Sequence, residues 1–421
     1  MLALQRSSWT PVASRLCITS SFRWHSTGLK SNFECKKALI ISKLSRYEFE
    51  RYRQPSLTVA QLEEALRRRG SDYDALLYHH QIHKSSEAAV ECTLNSKGIE
   101  TRTVNRLDFK DSLVEWADAI FTAGGDGTFL LAATRVQDNV KPVIGFNSDP
   151  TRSEGFLCLP RHYSDNISGA VDKLCKGQFD WNFRSRIRIT LVGDHIFDPP
   201  IELHDQQLLH PEYRFFDCLQ EQHKSATEET SEELENEKQR RVLPVLALNE
   251  VFMGERLSAR VSYYEVKVNG GRSVKIKSSG LCAATGTGST SWTFSIGRLG
   301  DQSIAQVLQA LKTEMPSLPE LQEQELVQRV TNRYNHSLVF APDESRMAYV
   351  VRDMICASVW PMPKGVVEPR GFANKLEVKS RCGDAALVVD GGVSYNFNDG
   401  TVAILELYPK DALRTVTLHE N

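Results

Sequence analysis

The spacing of apolar residues changes near the middle of the chain. Up to about residue 178, short apolar runs alternate with stretches in which apolar residues recur every three or four positions. Ala38-Leu39-Ile40-Ile41 is one such run and predicts a buried strand. Residues 58–69 place Val59, Leu62 and Leu66 on one face, with Gly70 just beyond, so they predict an amphipathic helix stopped by glycine. Residues 74–78 predict a second strand, 85–97 a second helix stopped by Gly98, and 101–104 a weaker third strand. Residues 116–122 predict the strand entering a glycine-rich turn. Residues 140–146 predict another strand, ended by Asn147 and Asp149-Pro150. A short helix over 167–176 stops at Gly177. Strands alternating with helices imply βαβ units and a parallel sheet.

Beyond that point the period is two. Residues 182–192 alternate, with Phe183, Ile187, Ile189 and Leu191 among arginines and threonines. Two alternating runs, 259–268 and 272–277, are joined by Asn269-Gly270-Gly271, a hairpin signal. Further strands are expected at 337–340, 348–351, 375–378, 386–389 and 401–407. The fold class is therefore a Rossmann-like α/β domain followed by an all-β domain, a β-sandwich or partly closed barrel, with the site between them. The expected boundaries are 34–178 and 179–405, with 406–421 as a C-terminal segment that returns toward the first domain. A polar insertion over 221–241 predicts a mobile surface loop. Residues 312–325, with Pro316 and Pro319, predict a linker or helix-flanking segment.

The glycine-rich turn carries the chemistry. Thr122-Ala123-Gly124-Gly125-Asp126-Gly127-Thr128 lies between an apolar strand and the helix-like Phe129-Leu130-Leu131-Ala132-Ala133. Glycines let backbone N–H groups come close to a ligand, and a helix N-terminus favours a phosphate. A carboxylate amid a phosphate cradle repels its ligand unless it has chemical work. Asp126 is accordingly the candidate general base; otherwise it is a helix cap. Ligands on parallel sheets sit beyond the carboxyl ends of strands, where both Asp126 and Asn147 fall.

Three more stretches are polar where a packed β-domain needs no polar groups. Asn249-Glu250 follows Val245-Leu246-Ala247-Leu248 and offers donors and acceptors to a ribose or base. Residues 278–292 alternate hydroxyls with glycines and end in Trp292, a flat face for stacking. Asp390-Gly391-Gly392 is a turn whose acid reads as structural.

Composition adds limits. The chain has 421 residues, which suggests two or three domains, and 41% of them are hydrophobic. No apolar stretch is long enough for a membrane span. A formal charge of −2 gives no electrostatic case for nucleic-acid binding. Residues 1–33 hold Arg6, Arg15, Arg23 and Lys30, many hydroxyls and no acid, the pattern of a mitochondrial transit peptide. Nine scattered cysteines with no C-x-x-C pair fit a reducing compartment such as the matrix. His79 and His83 stand at i, i+4, a possible metal pair on a helix. No metal-binding residue is assigned.

The order and separation of Gly124-Gly125-Asp126-Gly127-Thr128, Asn249-Glu250 and Thr285-Gly286-Thr287-Gly288-Ser289 resemble the NAD kinase family. The first motif is shared with lipid kinases and phosphofructokinases, and the other two narrow it. The resemblance runs from about Lys36 to the C-terminus. Residues 42–50, 148–155 and 397–400 are similar to the branch found in animal mitochondria. The family transfers the γ-phosphoryl group of ATP, with Mg²⁺, to the 2′-hydroxyl of the adenosine ribose of NAD. The resemblance implies Asp126 as the catalytic aspartate and Asn249 and Glu250 as the dinucleotide-contacting pair. It implies Thr287, Gly288, Ser289, Thr290, Ser291 and Trp292 as the loop around the nucleotide. Gly124, Gly125, Gly127, Thr128 and Asn147 complete the expected binding set. A matrix enzyme that forms a homodimer is implied as well. Two other readings are a lipid kinase of the same superfamily and a non-catalytic NADP-binding protein. The chain departs from the family in three places. It has Thr285-Gly286-Thr287-Gly288-Ser289-Thr290-Ser291-Trp292 for the usual Thr-Pro-Thr-Gly-Ser-Thr-Ala-Tyr, Ser279 for an acid, and a stretched segment over 147–157.

Overall fold

The computed structural model describes residues 33–203, 239–315, 323–355 and 368–420. Residues 1–32 of the expected leader and most of the polar insertion lie outside them, as do Pro316 and Pro319. In chain order the first half runs β1 (Lys37–Ser42), α1 (Arg46–Arg53), α2 (Val59–Arg68), α3 (Tyr73–Ser96), β2 (Glu100–Asn105), α4 (Asp111–Trp116), β3 (Ala119–Ala123), α5 (Asp126–Arg135), β4 (Val143–Phe146) and α6 (Ile167–Cys175). The second half begins with β5 (Phe179–Arg184), β6 (Ile187–Val192), β7 (Ile201–Glu202), β8 (Arg240–Ala247), β9 (Glu250–Glu255), β10 (Ser262–Val268), β11 (Val274–Ser278) and β12 (Gly280–Ala284). Three helices follow: α7 (Trp292–Gly297), α8 (Asp301–Glu314) and α9 (Glu323–His336). The chain ends with β13 (Met347–Arg352), β14 (Arg370–Ala373), β15 (Lys375–Ser380), β16 (Ala385–Val389), β17 (Val393–Asn396), β18 (Val402–Leu407) and β19 (Leu413–Leu418).

The first half holds a parallel sheet in the order β2-β1-β3-β4. Its strands are apolar on both faces, because helices cover both. Ile40, Phe121 and Phe146 face α3 and α6, and Leu39, Ile41 and Ile120 face α5. Antiparallel sheets β11-β10-β15-β18-β6-β8 and β14-β13-β12-β9-β16-β17-β7 form the second half. Alternate residues of both, such as Ile189, Val251, Leu281, Val378 and Leu405, are fully buried in one core. At the C-terminus, β19 pairs antiparallel with β5. Leu418 and Leu413 then bury themselves in the two apolar clusters of the parallel sheet.

Four sequence expectations change. Residues 74–78 are not a strand but the start of the 24-residue helix α3. Ala75, Leu76, Leu77 and Tyr78 include no β-branched residue, and the Asp72 side chain caps the helix by accepting from Ala75 N at 3.0 Å. Trp116 closes the short helix α4 instead of opening β3. The run over 182–192 is two strands in different sheets, broken at Ser185, whose N–H bonds Pro342 O. Residues 337–340 are turns off the end of α9, with Ser337 N bonded to Arg333 O and Tyr334 O.

Candidate functional site

The β3–α5 turn places Asp126 as the first residue of α5, with Gly125 as N-cap. None of its three glycines has a positive φ. The demand is for space: a Cβ on Gly124 would lie 2.3 Å from Thr128 Oγ1. Gly127 opens onto nothing within 4 Å. The turn is pinned across the carboxyl edge of the sheet, because Gly124 N donates to Phe146 O at 3.0 Å and Lys43 N to Ala123 O at 2.9 Å. Asp126 accepts two backbone N–H groups, from Leu157 at 2.7 Å and Phe156 at 3.2 Å. A cleft of about 730 Å³ opens over the turn, lined by Lys43, Arg106, Asp126, Thr128 and Arg152 among others. Burial holds the Lys43 ammonium below its ordinary pKa.

The stretched segment after β4 is held by Asn147. Its amide donates to Ser153 O at 2.8 Å, and its oxygen accepts from Asp149 N and Ser153 Oγ, both at 3.2 Å. Asn147 is buried, so its side chain braces the segment that supplies N–H groups to Asp126. His79 bonds Asp149 at 2.8 Å, and His83 lies between Ser42 and Ser148. The two histidines are thus engaged with separate partners.

Asn249 and Glu250 fall just past the end of β8, where the chain turns into β9. Leu248, just before them, is fully buried in the same cluster as Phe129 and Ala132 of α5, which brings the pair beside that helix. Asp390 fixes the connection by accepting from Leu248 N and Asn249 N at 2.8 Å and Glu250 N at 3.0 Å. The hydroxyl-rich loop docks on it, because Thr285 N donates to Asn249 O at 2.9 Å. A Cβ on Gly288 would meet Asn249 O at 2.1 Å, so only glycine fits there. Thr287, Gly288, Ser289 and Thr290 form one turn of 3₁₀ helix. Ser291 Oγ donates to Glu250 and to Gly288 O. Trp292, 40% exposed, stacks on Phe252 with ring centroids 4.3 Å apart. Burial pushes the Glu250 carboxyl up to about 7, against the Ser291 hydrogen bond. Asn249 Oδ1 is buried without a hydrogen-bond partner.

One arginine joins the two groups. Arg184 Nη1 lies 3.4 Å from Thr287 Oγ1; burial holds its guanidinium below the ordinary pKa, and the charge of the Asp126 carboxylate acts against that. The sequence analysis missed it, although Arg184-Ser185-Arg186 put unusual charge into an otherwise apolar alternation. Arg186 is fully buried and donates to the carbonyls of Ala133, Val136, Asp138 and Asp411, tying the end of α5 to the β-rich half.

A phosphate-suited turn on an α/β half, facing an amide, an acid and a hydroxyl-rich loop from a β-rich half, defines a two-part nucleotide-binding protein. Residues 56–179 match the family model for the ATP-NAD kinase N-terminal domain. The chain is 42% identical over 391 residues to NAD kinase 2, mitochondrial, of Homo sapiens, covering 92% of this chain and 85% of that protein. It is 41% identical over 412 residues to the protein of the same name from Xenopus tropicalis, covering 94% and 93%. A solved NAD kinase from Archaeoglobus fulgidus in complex with ATP is 16% identical, covers 91% of this chain and 94% of its own, and has a TM-score of 0.46. The chain belongs to the NAD kinase family.

Proposed function

We propose that this mitochondrial NAD kinase transfers the γ-phosphoryl group of MgATP to the 2′-hydroxyl of the adenosine ribose of NAD, with Asp126 as general base. The observation that carries the assignment is the placement of Asp126. It begins α5 at the rim of the cleft, with its carboxylate aimed by the N–H groups of Phe156 and Leu157. Arg184 links its surroundings to the hydroxyl-rich loop. Asp126 takes the ribose proton as the 2′-oxygen bonds to the γ-phosphorus. The bond from that phosphorus to the bridging oxygen breaks, and ADP leaves with the electron pair. Free N–H groups at the start of α5 and the half-buried Lys43 receive the donor phosphates. Asn249 and Glu250 hold the ribose side, Ser291 tunes the charge of Glu250, and Trp292 gives the base a stacking face. Magnesium enters with the nucleotide as part of the substrate, held chiefly by its phosphate oxygens.

Asp126→Asn keeps NAD affinity within a few-fold and lowers turnover by roughly 10²–10⁴-fold, the span of a positioned base. A coupled assay for NADP formation, beside calorimetric NAD titration, reads both quantities. Unchanged turnover removes the role from Asp126. Phosphorylation of diacylglycerol or a sphingoid base in place of NAD, or NADP binding without turnover in the native protein, selects one of the other two readings.

A further inference from the structure

We propose that Arg184 is the cation that meets the phosphoryl group in transit, and that the same guanidinium holds the 2′-phosphate of the product. This deepens the reading of Asp126 as base and rests on it. Three observations converge on Arg184. Its place is rigid: it is the last residue of β5, paired with Leu413 of the C-terminal strand, and the following Ser185 is fixed by bonds to Pro342 O and Glu344 O, both at 2.8 Å. Its surroundings draw on both halves of the site: the hydroxyl of Thr287 lies within hydrogen-bond reach, and the charge of the Asp126 carboxylate offsets part of the cost of its burial. Its donors are under-used: the bond to Thr287 is long at 3.4 Å, and Nε is buried with no hydrogen-bond partner.

A guanidinium carries five N–H donors in a planar fork that matches two phosphate oxygens. Leaving such a fork buried and unsatisfied costs stability, and an incoming anion relieves that cost. In phosphoryl transfer the charge spreads over the equatorial oxygens of the moving group, and fixed cations there need no reorganisation. The base must lie beside the 2′-oxygen, and the moving phosphorus must bond to that oxygen. A cation adjoining Asp126 is therefore beside the moving group both before and after transfer. Arg184 takes and gives no proton. The ribose proton goes to Asp126, and the electron pair of the broken bond leaves with ADP.

The test compares NAD and NADP binding by calorimetry in native protein, Arg184→Ala, Arg184→Lys and Asp126→Asn, with steady-state turnover alongside. Arg184→Ala is expected to weaken NADP about 10²-fold, to leave NAD within about threefold, and to lower kcat about 10²-fold or more at little change in the KM for NAD. Arg184→Lys recovers part of both losses, because charge returns without the fork. Asp126→Asn keeps the NADP preference. Equal weakening of NAD and NADP in Arg184→Ala, or an unchanged NADP affinity, overturns the assignment. If Arg184→Ala binds neither dinucleotide because it is unfolded, Arg184→Lys decides alone: native NADP affinity and native kcat there refute the proposal, and a selective loss of both supports it. Full turnover in Asp126→Asn, with the NADP effect of Arg184→Ala intact, removes the base and leaves the phosphate contact standing.

Discussion

Asp126 and Asp390, one in each half, both use their carboxylates on backbone N–H groups of a distant segment. Asp126 accepts from Phe156 and Leu157, in a segment about 30 residues downstream, and stands at the rim of an open cleft. Asp390 accepts from Leu248, Asn249 and Glu250, about 140 residues upstream, and sits in a turn with φ +48°. Burial pushes the Asp390 carboxyl up to about 6, although its three N–H donors pull the other way. The first acid is oriented by a loop and left facing ligand space. The second is consumed in shaping the strand connection that presents Asn249 and Glu250. The same hydrogen-bond chemistry thus leaves one carboxylate at an open cleft and spends the other on scaffolding, and the difference lies in what each carboxylate still faces.

The largest effect that would break this contrast is on stability. Asp390→Ala leaves three N–H groups without their acceptor, each worth about 1–3 kcal/mol when buried, so a loss of about 3 kcal/mol or more is expected. NAD affinity falls with it, because the pair loses its register. Asp126→Ala removes two bonds at a half-open helix start and costs about 1 kcal/mol or less. Urea denaturation of both variants measures the gap. Equal losses would mean that Asp126 is scaffolding too.

The two acids also show what could be read from the chain. A carboxylate between glycines, after Ala119-Ile120-Phe121, is a local pattern, and so is the hairpin around Asn269-Gly270-Gly271. Local patterns survived folding: β1, β2, the β10–β11 hairpin and α5 lie where apolar spacing puts them. The partnership of Asp390 with Leu248 is not local, and neither is that of Arg184 with Thr287, 103 residues apart. No periodicity encodes such pairs. Asp390-Gly391-Gly392 was legible as a turn with a structural acid, but not as the clamp on the dinucleotide pair. Residues 74–78 failed for a different reason. Four apolar side chains in a row satisfy either a strand or a buried helix face, and only the Asp72 cap decides.

A smaller effect sharpens the contrast through pH. The Glu250 carboxyl is raised by burial from 4.5 to about 7 in the folded protein. Between those values the folded state holds a proton that the unfolded chain has released. The stability that the neutral carboxyl confers is therefore full below about 4.5 and lost as pH rises through about 7. At roughly 1.4 kcal/mol per pKa unit the loss is about 3 kcal/mol. Asp390 contributes with the same sign over a lower window, from 3.8 to about 6. The native protein minus Glu250→Gln, both without ligand, isolates Glu250. Urea unfolding from pH 4 to pH 8 is expected to show that difference declining across the window. A flat difference would mean that Glu250 titrates alike in the folded and unfolded chain and that burial does not raise it.

The smallest predicted effect belongs to Ser291, which stands where the family usually has alanine. Its hydroxyl donates to Glu250 and stabilises the ionised carboxylate, opposing the burial that favours the neutral acid. Ser291→Ala removes that donor and leaves the burial unchanged. The Glu250 midpoint then moves further above about 7, by about one unit or less, since a hydrogen bond to a charged group is worth about 1.5 kcal/mol or somewhat more and water replaces part of it. An ionised Glu250 accepts from ribose hydroxyls and a neutral one does so less well. The KM for NAD at pH 7 should accordingly rise up to about fivefold, while kcat changes little. The native value should return near pH 9, where both proteins carry the ionised acid. A KM that rises equally at every pH would mean that Ser291 touches the dinucleotide directly and does not act through Glu250.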